Sequence, residues 1–256
     1  MIFWPLLLPP LGWMAYTMGA HLLTVGCVRR GPRDKRSIAL TFDDGPDPDY
    51  TPELLRALAR AHVRATFFLV GKRALAAPEV VKAIVNDGHE VGSHSWSHRH
   101  LWWSTPSQTR EEVSKGALVL SELTGRAVRF FRPPWGMVNL ALFPALRSVN
   151  ARCVFWSIQP EGLRPSASFE QVDHVLSRSH PGAIVDLHDA EGLPGAPQRL
   201  LAALPMMIER LRAEGYALVT LGELLSANRN GPSRPGPTGG TISRVIGNRG
   251  SGEPRR

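Results

Sequence analysis

The sequence predicts an α/β fold with about seven parallel strands. Between residues 37 and 227, short apolar runs of strand length alternate with amphipathic runs of helical spacing. No hairpin signal joins neighbouring apolar runs, so successive strands pair through helical crossovers and lie parallel. Polar clusters recur at the ends of several of the apolar runs.

The strand candidates are 37–42, 65–70, 89–93, 128–131, 152–157, 183–188 and 216–220. The helices between them carry boundary signals. Thr51-Pro52-Glu53 reads as N-cap, first helical residue and early acid. Pro78-Glu79 opens the next helix and Gly88 closes it; Thr105-Pro106 opens a third, closed by Gly125. Such an array is either a closed β/α barrel or an open doubly wound sheet. Asp43-Asp44, the His94 region, Arg132 and His188 each fall at or just after a strand end. In a β/α barrel those ends converge on one mouth, where active sites are built.

A chain of 256 residues suffices for one large α/β domain. Its net charge of +8 invites a nucleic-acid partner, but the placement of the charge argues against one. Residues 29–36 hold five basic residues and one acid, and the tail from Asn228 holds six Arg and one Glu. The core, 37–227, carries 19 basic and 20 acidic residues, so it has no basic excess. We divide the chain into an N-terminal membrane segment (1–28), a basic linker (29–36), a catalytic domain (37–227) and a disordered basic tail (228–256). The tail is rich in Gly, Pro, Ser and Arg and has no periodicity. Residues 2–28 contain no charged residue and reach the length of a span, although Pro5, Pro9, Pro10, Gly12 and His21 interrupt it. With no basic n-region it is a poor secretory signal. The expectation is a membrane-associated protein of the cell envelope. Arg29-Arg30 would put the domain in the cytoplasm by the positive-inside rule, which conflicts with an extracellular substrate, so the side stays open. Two cysteines, Cys27 and Cys153, exclude a disulfide framework and a Cys-based zinc site. Cys153 lies in an apolar run and reads as a core residue.

The run Ser37–Phe42 ends in Asp43-Asp44 and is stopped by Gly45-Pro46. Two adjacent carboxylates at a strand end are costly unless a cation, a proton or a basic residue shares their charge. That placement points to a metal ligand beside a general base. His94 and His98 are four residues apart, so one helical turn would aim both imidazoles at one point. By itself the pair is as readily a polar loop. With Asp44 it makes two imidazoles and one carboxylate, a set suited to a catalytic Zn²⁺ or another divalent ion such as Co²⁺ or Ni²⁺. His100 is expected outside this set. Arg132 is placed to pair with Asp43 and keep it ionised, and the turn Pro133-Pro134-Trp135-Gly136 to present a backbone N–H to an oxyanion. His188 ends a buried run and is a candidate general acid. Trp102 and Trp103 either stack on a glycan at the rim or pack beneath the loop.

The segments T-F-D-D-G-P, H-S-W-S-H, R-P-P-W-G and D-L-H-D, in this order over roughly 37–227, resemble motifs of the polysaccharide deacetylase family, the NodB-homology or carbohydrate esterase family 4 domain. The resemblance implies a deformed (β/α) barrel and a divalent-metal-dependent N-deacetylase acting on an N-acetylated glycan: peptidoglycan, a chitin-like oligosaccharide or a lipid-linked sugar. It implies Asp43 as catalytic base, Asp44, His94 and His98 as metal ligands, Arg132 as the residue orienting Asp43, and His188 as general acid. Pro134, Trp135, Gly136 and Leu187 would contact substrate, with Leu187 bordering the pocket for the acetyl methyl. One motif departs from the family pattern. Where an acidic D-W-type segment is usual, this chain reads Phe155-Trp156-Ser157-Ile158-Gln159-Pro160-Glu161-Gly162, and Glu161 or Asp186 is expected to replace the missing carboxylate. The alternatives are an O-acetyl esterase or deformylase on the same scaffold, and a catalytically impaired carbohydrate-binding relative.

Overall fold

The computed structural model describes residues 8–22, 24, 27–161, 166–190 and 194–226. The tail 228–256, and Gly162–Arg164 of the divergent segment, lie outside them. Seven parallel strands form the sheet: β1 (Ser37–Asp43), β2 (Thr66–Leu69), β3 (Glu90–Ser93), β4 (Phe130–Phe131), β5 (Arg152–Cys153), β6 (Ile184–His188) and β7 (Ala217–Val219). The helices are α1 (Leu8–Leu22), α2 (Thr51–Arg60), α3 (Gly71–Ala76), α4 (Pro78–Asn86), α5 (Pro106–Thr124), α6 (Leu142–Ser148), α7 (Ser168–Arg178), α8 (Ala196–Ala213) and α9 (Leu221–Ser226).

The strand order is β5-β4-β3-β2-β1-β6, and β7 pairs with the first half of β1 below the point where β2 joins it. All seven strand positions expected from the sequence hold strands. The run expected at 152–157 is shorter, because the chain leaves β4 after Cys153 and crosses to the far edge. There Ile158 bridges Val185 of β6, with Asp186 N–H donating to Ile158 O at 2.9 Å. Val28 bridges Val154 beside it. The circle thus closes through single bridges, which makes the barrel a deformed one.

Strand alternation sorts the side chains. On β1, Ile38, Leu40 and Phe42 face the helices, packed with Leu54, Leu58, Leu204 and Met207. Ala39, Thr41 and Asp43 face the barrel interior. On β6 the register pairs Thr41 with Asp186 and Asp43 with His188, so four polar side chains share one interior wall. Phe68 and Phe130 fill the interior beneath them.

Several local signals are visible in the caps. Thr105 caps α5 in a reciprocal capping box with Gln108, and Gly125 ends the helix in the left-handed region at φ 66°. The start of α2 differs from expectation by one residue. Thr51 is already helical, and Asp47 Oδ1 accepts from the Asp49 and Tyr50 amides in its place. Thr51 Oγ1 instead donates to Asp189 Oδ2 at 2.7 Å, a partner 138 residues away.

Most of the described part of the N-terminal segment is the 15-residue helix α1. No described helix is long and apolar enough to cross a membrane. One face of α1 is docked on the domain through buried Thr17 and Ala20; Tyr16 donates to Ser104 O, and Trp102 Nε1 donates to His21 Nε2 at 3.2 Å. Leu11, Met14, Met18 and Leu22 point outward.

Candidate metal and catalytic site

The mouth of the barrel gathers the residues that end β1, β3, β4 and β6. Asp44 follows β1 with φ 74°, and Arg73 Nη1 donates to its backbone carbonyl at 2.8 Å. Its Oδ1 meets His98 Nε2 at 2.9 Å and His94 Nε2 at 3.3 Å. The ligand atoms of Asp44, His94 and His98 all lie within 4.8 Å of one another. Asp44 Oδ1 is buried yet takes no aligned hydrogen bond from either ring. His94 Nδ1 lies 2.8 Å from the carbonyl of Arg132. A carbonyl only accepts, so Nδ1 carries the proton and Nε2 presents its lone pair to Asp44. Two ring nitrogens and an orphaned carboxylate oxygen on one point is what a divalent cation requires. The site therefore fits the ion that the residue types implied.

The route to this geometry is not a helical turn. Residues 94–98 form a loop in which Ser95 (φ 70°) and His98 (φ 58°) are left-handed. Side chains far from the motif hold that loop. Glu112 on α5 accepts from Ser97 N–H at 2.8 Å and from Ser97 Oγ at 2.5 Å, and Ser95 Oγ accepts from His98 N–H at 2.9 Å. Gly116 lets α5 approach: a Cβ there would lie 2.9 Å from the backbone of Ser95. Neither Glu112 nor Gly116 carried a motif signal. Each is one residue of an amphipathic helix until its neighbour across the fold is known.

Asp43 and Arg132 form the second half. Arg132 is fully buried. Its Nη1 donates to Asp43 Oδ1 at 2.7 Å, Thr41 Oγ1 at 2.8 Å and Asp186 Oδ1 at 2.9 Å, and its Nη2 donates to Phe155 O at 3.2 Å. The guanidinium lies 4.2 Å over the Phe68 ring. Gly92 makes room for that ring, since a Cβ there would meet it at 2.6 Å. Of the two carboxylates expected to stand in for the divergent motif, Asp186 reaches Arg132. Glu161 is engaged elsewhere, 2.6 Å from Arg199 Nη2.

Burial raises the Asp43 carboxyl well above the usual carboxylate range against the pull of Arg132, and Asp186 and Asp44 push the same way as burial. Burial also acts to raise Asp44, but the approach of His94 and His98 outweighs it and holds that carboxyl far below its ordinary value. For His188, burial acts to lower the pKa. Asp186, Asp44 and Asp43 together outweigh it, and the ring titrates above its usual value.

Leu187 is a correction. It faces the helical layer with Phe42, on the side of β6 opposite His188, because adjacent strand residues point to opposite faces. It does not border the site, and its predecessor Asp186 faces inward instead. The Pro134–Gly136 turn does flank the site. Trp135, with φ 53° and half exposed, lays its ring 4.3 Å from that of His98 and 5.2 Å from that of His100. The amide N–H of Trp135 has no backbone acceptor among the described residues. Pro134 is buried, and Gly136 at φ 66° packs against Trp156. His100 stands outside the ligand set, as expected. Of the two tryptophans after the motif, Trp102 is tied to His21 of α1 while Trp103 remains 71 % exposed.

Residues 30–154 match the family model described as polysaccharide deacetylase. The chain is 34 % identical over 199 residues to a peptidoglycan-N-acetylglucosamine deacetylase of Bacillus cereus, covering 78 % of this chain and 72 % of that protein. It is 30 % identical over 208 residues to a chitooligosaccharide deacetylase of Azorhizobium caulinodans, covering 77 % of this chain and 98 % of the other. Among solved structures, the Bc1960 peptidoglycan N-acetylglucosamine deacetylase superposes with a TM-score of 0.73 at 34 % identity, covering 78 % of this chain and 92 % of that one.

Proposed function

Since this chain belongs to the polysaccharide deacetylase family, we propose that it removes N-acetyl groups from N-acetylated amino sugars in a glycan, using a divalent metal held by Asp44, His94 and His98. The observation that carries the proposal is the adjacency of two units. One is the Asp44–His94–His98 cluster; the other is Asp43 tied to Arg132, with Asp43 Oδ2 3.8 Å from His94 Nε2.

When bound, a divalent ion supplies Lewis acidity for an amide carbonyl and for a neighbouring water. The remaining work falls to side chains. Asp43 offers Oδ2 to the site while Arg132 holds Oδ1, which orients it to take a proton from the attacking water. Asp186 shares Arg132, so the buried guanidinium faces two carboxylates and does not over-stabilise the charge of Asp43 alone. The N–H of Trp135 is free to donate to the oxyanion of a tetrahedral intermediate. His188, drawn toward its protonated form, delivers a proton to the leaving amine. An amide needs that step because an amine anion leaves poorly.

We assign Zn²⁺ as the ion on its affinity for two imidazoles and a carboxylate, with Co²⁺ and Ni²⁺ as substitutes. The substrate class is the N-acetylglucosamine of peptidoglycan or chitin-like oligomers, which the names of the relatives support. We also propose that the outward face of α1, Leu11, Met14, Met18 and Leu22, rests on an anionic membrane surface of the cell envelope beside exposed Arg29 and Arg30. Co-sedimentation with anionic vesicles, lost on Met14→Ser with Met18→Ser, tests that contact. The main experiment is acetate release from chitin oligomers, peptidoglycan and xylan, with and without chelator and with each metal restored. Chelator-sensitive release from an N-acetylated glycan is expected. Release from O-acetylated xylan alone would replace the proposal with an esterase.

A further inference from the structure

Cys27 and Cys153 are 126 positions apart in sequence and neighbours in space. The bridge between Val28 and Val154 is parallel, held by Val28 N–H to Cys153 O at 2.9 Å and Phe155 N–H to Val28 O at 2.7 Å. One step earlier on both chains stand the two cysteines. Residues in register on adjacent strands point to the same side, and each thiol shifts the pKa of the other. Both pack in one apolar cluster with Leu142, Leu146 and Phe155. Neighbouring strands run about 4.8 Å apart, within the Cα separations of roughly 4.4–6.8 Å that a disulfide spans. The register therefore sets the two cysteines at a spacing of the kind a disulfide spans. Both thiols are free in the structure.

We propose that Cys27 and Cys153 are an oxidisable pair that closes to a disulfide in an oxidising compartment, tying the segment after α1 to β5. The effect reaches toward the site. α1 braces the turn that follows the His motif, through Tyr16 on Ser104 and Trp102 on His21, and Cys27 lies five residues after the end of α1 in sequence. A covalent link at Cys27 anchors that brace.

The two sulfurs are unequal. Cys27 is partly exposed beside Arg29, whose guanidinium stacks over Phe155, and its pKa is lowered by the neighbouring Cys153 thiol and by Arg29 against the opposing effect of burial. Cys153 is buried and its pKa is raised by the neighbouring Cys27 thiol and by burial. Cys27 is thus the attacking thiolate. It displaces one thiolate from a low-molecular-weight disulfide such as oxidised glutathione and forms a mixed disulfide. Cys153 gives up its proton to solvent and attacks the Cys27 sulfur, expelling the second thiolate. Two protein thiols are oxidised, and one disulfide is reduced to two thiols.

The test is to incubate the full chain with oxidised glutathione and denature it without reductant. Free thiols are then counted, and tryptic peptides are mapped by mass spectrometry. The expected result is no titratable thiol, an intact mass lower by two hydrogens, a linked peptide pair holding Cys27 and Cys153, and a monomer on non-reducing electrophoresis. In Cys27→Ser, Cys153 should stay free and unmodified. Two free thiols in the oxidised wild type would overturn the proposal. So would a stable glutathione adduct on Cys27 without the link, or a link only between two molecules.

Discussion

Arg132 Nη1 lies 2.9 Å from Asp186 Oδ1, and the same nitrogen holds Asp43 Oδ1 at 2.7 Å. A carboxylate on β6 thus reaches the guanidinium, while Glu161 of the divergent segment after β5 is paired with Arg199. Register makes this possible. Asp186 sits opposite Thr41, two residues below the Asp43–His188 pair, so its side chain enters the interior one layer beneath the site. Asp186→Asn should lower kcat roughly ten- to a hundredfold with little change in KM, since the lost charge acts through Arg132 on the proton-transfer group. Glu161→Gln, in the pair with Arg199, should leave kcat within about twofold. Steady-state acetate release on one chitin oligomer compares the two. The reverse ranking would return the supporting role to Glu161.

Metal retention should separate the two adjacent aspartates. Asp44→Ala, His94→Ala and His98→Ala should each lose stoichiometric metal, because two ligands hold a divalent ion poorly. Asp43→Asn should keep the metal and lose about 10²–10⁴ in turnover. Elemental analysis after gel filtration reads the first claim, and single-turnover acetate release reads the second. Full metal content in all three ligand variants would sink the assignment.

Glu112 tests the support of the histidine loop. Glu112→Ala removes both bonds to Ser97 while leaving every ligand in place. Loss of an outer partner typically costs about 10–100-fold in metal affinity. A competition titration with a chromogenic chelator should show a loss of that order, with circular dichroism unchanged.

His188 predicts the alkaline side of the pH profile. Its raised pKa extends the range over which the ring holds its proton to higher pH, and an acid is spent once it deprotonates. kcat should therefore fall as pH rises through that pKa. His188→Ala should lose on the order of 10²-fold at neutral pH and lose the alkaline fall with it. A variant that keeps the same alkaline limb would assign that limb to another group.

Asp189 predicts stability. It is buried with Oδ1 unpartnered, and burial lifts its pKa to about 7, with Thr51 opposing and Asp44 adding to the lift. A carboxyl raised on folding contributes stability below its unfolded pKa and loses that contribution as pH rises toward the folded value. Metal-free protein in EDTA should therefore lose on the order of a few kcal/mol between pH 4 and 7 from this group. Asp189→Asn should flatten that part of the curve and melt higher than the wild type at pH 8. Equal slopes in thermal melts would exclude the effect.

The parts of this protein written in local chemistry were legible in the sequence. Strand positions follow from apolar runs bounded by Gly and Pro, and the start of α5 follows from Thr105, Pro106 and Gln108, which are neighbours along the chain. The candidate ligands were legible for the same reason: Asp, His and Arg at strand ends have few other uses. What distance in sequence hides, only the tertiary structure decided. His94 and His98 converge through two left-handed residues and a bond to Glu112, not through a helical turn, because α5 packs against the loop at Gly116. Leu187 faces the helices and Asp186 the interior because strand side chains alternate, and the face each takes is set by pairing with β1. The choice of Asp186 over Glu161 is a matter of reach. Electrostatic support for a buried guanidinium falls off within a few ångströms, and which carboxylate comes that close depends on strands brought together from opposite ends of the chain.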